Sequence, residues 1–132
     1  MGIEKNEQIQ KINNQCRNNW CLDVEYFIYS NEKTLVKHIN INEEDYLEFA
    51  LRYNWKNQIS LHISKFNHKK GDYFSTSHDF GKDKIINDQP ANRKSINKLI
   101  EYTNILTDDE LLRINAETPV TKNGIFIESE EF

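Results

Sequence analysis

Between residues 58 and 66, "QISLHISKF", the apolar residues Ile59, Leu61 and Ile63 alternate with the polar residues Ser60, His62 and Ser64. Side chains repeat every two residues only on a strand, so this spacing calls for a sheet with one apolar face. "NHKKG" follows, a five-residue connection ending in Gly71, which can take the positive φ that such loops often need. The pattern predicts a hairpin of 58–66 with 72–80. In that register Phe66 faces Asp72, Ser64 faces Phe74, His62 faces Thr76 and Ser60 faces His78. Ile59, Leu61 and Ile63 then point into a core. Ser60, His62, Ser64, Phe66, Phe74, Thr76 and His78 collect on the opposite face.

A chain of 132 residues is long enough to bury one core around that sheet. Ile9, Ile12 and Cys16 form a sparse stripe that predicts a weak helix over 4–17. "WCLDVEYFIY" (20–29) is aromatic and β-branched and reads as a strand, as does "TLVKHINI" (34–41), with Leu35, Lys37 and Ile39 on one face. Asn42 reads as an N-cap ahead of three acids, and Tyr46, Leu47, Ala50 and Leu51 at helical spacing predict a helix over 43–53. Pro90 suits a helix start, and Ile96, Leu99, Ile100, Thr103 and Leu106 extend the stripe over 91–106. Thr107-Asp108-Asp109-Glu110 matches a capping box for a helix over 108–116. Pro119 ends that run, and Asn123-Gly124 suits a further turn. The expected class is α+β: a small antiparallel sheet centred on a hairpin at about 58–80 and packed with those three helices. The expected division is a weak N-terminal helix or arm at 1–17, a single α+β domain at 18–118 and a C-terminal segment with an acidic tail at 119–132.

Several classes are set aside by what the chain does not contain. No apolar run approaches the ~18 residues that span a bilayer, and "MGIEKNEQIQ" has neither a signal-peptide core nor the Ser or Thr of a myristoylation signal. A cytoplasmic protein is expected, with Cys16 and Cys21 as reduced thiols, since neither a second Cys pair nor a His-x-His spacing completes a zinc site. No P-loop, Gly-x-Gly-x-x-Gly or Gly-x-Ser-x-Gly occurs. Asp79-Phe80-Gly81 stands without the other kinase signatures, and His78-Asp79 as strand neighbours point to opposite faces. The expectation is a non-enzyme with no cofactor and no metal. Heavy use of Asn, Ile and Lys matches an AT-rich genome, such as that of a phage or plasmid.

The charge is unevenly spread. The whole chain carries a formal net −4, yet residues 52–94 hold nine basic side chains (Arg52, Lys56, Lys65, Lys69, Lys70, Lys82, Lys84, Arg93, Lys94) against Asp72, Asp79, Asp83 and Asp88. A basic centre interleaved with aromatics is the footprint of a phosphate-backbone ligand. Flat rings on a sheet are where single-stranded bases stack. The expected function is therefore nucleic-acid binding with a preference for single strands. Phe66, Tyr73 and Phe74 would stack, and His68, Lys65, Lys69, Lys70, Lys82, Lys84, Arg93 and Lys94 would complete the interface. The chain closes on Glu128-Ser129-Glu130-Glu131-Phe132. Over these five residues it resembles the partner-binding tails of bacterial single-stranded DNA-binding proteins, although the Asp-rich string and the Pro before the final Phe are absent. The resemblance implies a protein partner held by Glu128, Glu130, Glu131 and Phe132. The alternative class is an acidic protein-binding inhibitor, a phage antagonist of a host enzyme or defence complex, using the acids at 43–45, 108–110 and 128–131.

Overall fold

The computed structural model describes residues 3–68 and 81–117, with side chains at 4–68 and 83–117. It is an α+β fold in which five antiparallel strands lie in sequence order: β1 (Cys21–Leu22), β2 (Leu35–Asn40), β3 (Asp45–Tyr53), β4 (Ile59–Asn67) and β5 (Gly81–Asn87). Among the described residues four helices accompany the sheet: α1 (Ile3–Gln15), α2 (Val24–Ser30), α3 (Asn97–Thr103) and α4 (Asp108–Glu117).

The alternation in β4 orients the sheet as expected. Ile59, Leu61 and Ile63 are fully buried and face Tyr53, Leu51 and Phe49 across β3. Leu35, Lys37 and Ile39 of β2 continue the same face. Against it pack Ile12 of α1, Trp20, Phe27 of α2, Leu99 and Ile100 of α3, Leu106, and Leu111 of α4, forming one apolar cluster. The partner of β4 differs from the expected one. Ser64 pairs with Gly81, His62 with Asp83 and Ser60 with Ile85, so the second strand of the hairpin is 81–87. The expected strand at 72–80 and the turn at Asn123-Gly124 lie outside the described residues.

Residues 45–53, expected within a helix over 43–53, are strand and not helix. Leu47, Phe49 and Leu51 face the core, while Tyr46 and Ala50 on the other face are also shielded. A strand with apolar residues on both faces loses its period-2 signature, and its spacing then matches a helix by accident. Asn42 does accept from the next turn, with Oδ1 taking the N–H groups of Glu44 and Asp45 at 2.7 Å each. That Asx turn closes the β2–β3 hairpin and starts no helix.

The expected strand at 20–29 is likewise corrected to two strand residues and a helix. Asp23 Oδ1 accepts from Tyr26 N at 3.1 Å, and Asn31 ends the helix with φ 62°. An N-cap and a left-handed C-cap bracketing seven residues outweigh their β propensity. Only Phe27 of α2 is buried.

The expected helix at 91–106 shortens to 97–103. Asn92 Oδ1 accepts from Lys94 N at 3.0 Å, and Asn92 O accepts from Ser95 N at 2.9 Å, so a turn stands where Pro90 suggested a helical start. Half of the capping box at 107–110 is present, with Glu110 N donating to Thr107 Oγ1 at 3.3 Å, while the Glu110 carboxylate accepts from Arg113.

The two ends of the described chain are stitched together. Arg17 N donates to Thr103 Oγ1 at 3.0 Å, Asn18 Nδ2 to Thr103 O at 2.7 Å, and the buried Trp20 Nε1 to Leu106 O at 2.9 Å. Lys37, on the core face of β2, reaches between them. Its Nζ donates to Asn18 O and lies 2.7 Å from Asp108 Oδ1 at the start of α4.

Cys16 packs against the cluster, and burial followed by the neighbouring Cys21 raises its thiol from 9.0 to about 11. The folded thiol thus holds its proton more tightly than the unfolded one. Its contribution to stability is intact below about 9 and is lost as pH rises through about 11. Burial shifts Tyr53 in the same direction. Melting curves from pH 8 to 11 should therefore fall more steeply for the wild type than for Cys16→Ala. Equal slopes would show that the thiol does not titrate in this way.

Candidate nucleic-acid interface

A basic concavity forms where α2 hands over to β2 and β3 ends. Asn31 turns the chain out of α2, its N–H donating to Phe27 O at 2.9 Å, and Thr34 O accepts from Asp23 N at 2.8 Å. Those bonds fix Glu32 and Lys33 on one wall. Leu35 pairs with Leu51, so this wall stands beside the last residues of β3, Arg52 and Tyr53. In the β3–β4 turn, Asn54 Oδ1 accepts from Lys56 N and Gln58 N, and Asn57 adopts φ 61°. Asn57 O then accepts from Ala91 N at 2.6 Å, and Tyr53 Oη donates to Ser95 O. These contacts draw Arg93 and Lys94 in as the third wall. The resulting pocket, about 450 Å³, is lined by Asn31–Thr34, Arg52, Tyr53, Arg93 and Lys94.

Four basic residues thus line the pocket with Glu32, and a second carboxylate, Asp83, holds one of them from outside. Arg93 Nη2 lies 3.5 Å from Glu32 Oε1, and Arg52 Nη2 lies 3.4 Å from Asp83 Oδ1. All four side chains are 40–50% exposed, so each pair is worth at most about 1 kcal/mol and yields readily to a stronger anion. Lys94 is exposed and has no ion-pair partner among the described residues. Burial raises the Tyr53 phenol above its usual range, which keeps it protonated and donating. Two residues on stands Trp55, 83% exposed, with Lys56 Nζ 4.9 Å from its ring centroid.

The other face of the sheet is polar and aromatic. His62 Nδ1 is 2.9 Å from Asp83 Oδ1, the oxygen that also meets Arg52, and His38 Nε2 is 2.8 Å from Glu48 Oε2. Phe66 stacks on Tyr46 with ring centroids 5.4 Å apart, and His68 lies 4.6 Å from the same tyrosine. Phe66 retains 6% of its surface, too little for a base to lie on.

The expected interface residues therefore separate. Arg93 and Lys94 line the pocket. His68 is exposed, with Nε2 3.2 Å from Asn40 Oδ1. Lys65 is half-buried opposite Leu47, on the face that carries the core. Lys84 is also half-buried and lines a separate groove with Tyr102, Leu106, Glu110 and Arg113. Lys82 belongs to β5, its side chain outside the described set, as are Lys69, Lys70, Tyr73, Phe74, Glu128, Glu130, Glu131 and Phe132. Of the acids invoked for the inhibitor reading, Asp45 binds Asn67, Asp108 binds Lys37 and Glu110 binds Arg113.

Sequence reasoning missed Lys33 and Trp55 and gave Arg52 no contact. Lys33 lies in a locally acidic third of the chain, and only the fold brings it beside residues 52 and 93. Among the described residues no group of three His, Cys, Asp or Glu side chains could hold a metal ion, and no helix is long and apolar enough to cross a membrane. No family model, curated protein or solved structure matches the chain.

Proposed function

We propose that the protein binds nucleic acid with a preference for single strands, holding backbone phosphate in the pocket at the end of β3. The observation that carries this reading is the convergence of Lys33, Arg52, Arg93 and Lys94 from three separate segments, in a chain whose net charge is −4. Like charges gathered in a concavity raise the local potential for an anion and disfavour the unliganded state. A cavity of about 450 Å³ has room for a nucleotide. The exposed indole of Trp55, three residues beyond Arg52, supplies the flat ring on which an unpaired base stacks.

Fluorescence anisotropy with single- and double-stranded oligonucleotides across a salt series tests this. Arg52→Gln/Arg93→Gln should weaken single-strand binding and lower the salt slope by about 1.4, the value for two lost phosphate contacts on a single strand. Trp55→Ala should cost about 1–3 kcal/mol of affinity and leave melting unchanged. Absence of wild-type binding at low salt would overturn the reading and leave recognition of a protein partner in its place.

A further inference from the structure

We infer that the pocket is built for a terminal phosphomonoester, the charged end of a strand or of a free nucleotide, in preference to the diester within a strand. This rests on the nucleic-acid reading and narrows it. The charge balance is the first reason. Lys33, Arg52, Arg93 and Lys94 line the pocket with Glu32, and Asp83 holds Arg52, a formal excess of two positive charges around one small concavity. A diester brings one negative charge, whereas a monoester with a second pKa near 6 brings close to two at neutral pH. The donors are the second reason. Two guanidiniums are planar forks that bind pairs of oxygens, and a monoester offers three unesterified oxygens where a diester offers two. Finally, the Tyr53 ring is fixed by its bond to Ser95 O, which places a rigid aromatic wall beside the phosphate position for the attached nucleoside.

The experiment measures binding of the full chain to one short single-stranded sequence made with 5′-phosphate, 3′-phosphate or hydroxyl ends, with a nucleoside 5′-monophosphate as competitor. At least one phosphorylated end should bind about tenfold tighter than the hydroxyl form, and the monophosphate should displace it. Arg93→Gln should remove that gain, and Lys94→Gln, at an exposed position, should reduce it even if the first variant melts early. Equal binding of all three oligonucleotides, each weakened by Arg52→Gln/Arg93→Gln, would overturn this inference and leave single-strand binding standing. Binding of the monophosphate with no oligonucleotide binding would keep the pocket assignment and overturn strand recognition. Failure of every probe would overturn both.

Discussion

Phe49→Ala is expected to destabilise the protein by about 3–5 kcal/mol in denaturant unfolding, the largest effect of any substitution considered. Phe49 is fully buried in the central strand, opposite Lys37 on one side and Ile63 on the other. No neighbour can close the space its ring would leave, because strands on both flanks hold their spacing through the ladder. Glu48→Ala, one residue earlier on the other face and only half-buried, should cost under about 1 kcal/mol. Similar losses at both positions would mean that residues 45–53 do not alternate between faces, and the sheet topology would fall with that result.

The second large effect concerns Lys37. Its ammonium is nearly sealed, with 4% of the side chain exposed, while its partner Asp108 is 62% exposed. Asp108→Ala strands the cation against the single carbonyl of Asn18 and should cost about 3 kcal/mol. Lys37→Met fills the same space without a charge, so adding it to Asp108→Ala should restore most of the loss. If Lys37→Met makes Asp108→Ala worse, the ammonium is not the source of the cost. The pair also fixes where α4 begins, since it joins the first residue of that helix to β2.

Elements whose burial pattern is one-sided were legible in the sequence. β4 shows apolar residues on one face, and its core assignment held at Ile59, Leu61 and Ile63. α4 carries its cap in the sequence, and its position held too. β3 was illegible because Tyr46 and Ala50 are shielded on the face opposite Leu47 and Phe49. α2 was illegible because aromatic and β-branched residues fill an exposed helix, with Val24, Tyr26 and Ile28 each more than a third exposed. The candidate site was half legible. Arg93 and Lys94 stood out as basic residues, but Lys33 and Arg52 join them only through the β2–β3 register and the bond from Ala91 N to Asn57 O. Long-range pairing of this kind leaves no local signature.

The bonds between residues 17–20 and 103–106 set an order of events on the ribosome. Each strand from β2 to β5 pairs with the one made just before it, so the sheet can assemble as the chain emerges. The N-terminal segment cannot do the same, because Arg17 and Trp20 find their acceptors 86 residues later. At about 5–20 residues per second that is a wait of roughly 4–17 s, during which Ile12 and Trp20 remain without their final cover. Nascent chains stalled before residue 103 emerges should therefore bind hydrophobic-surface chaperones through their first twenty residues, and chains stalled well past residue 106 should release them.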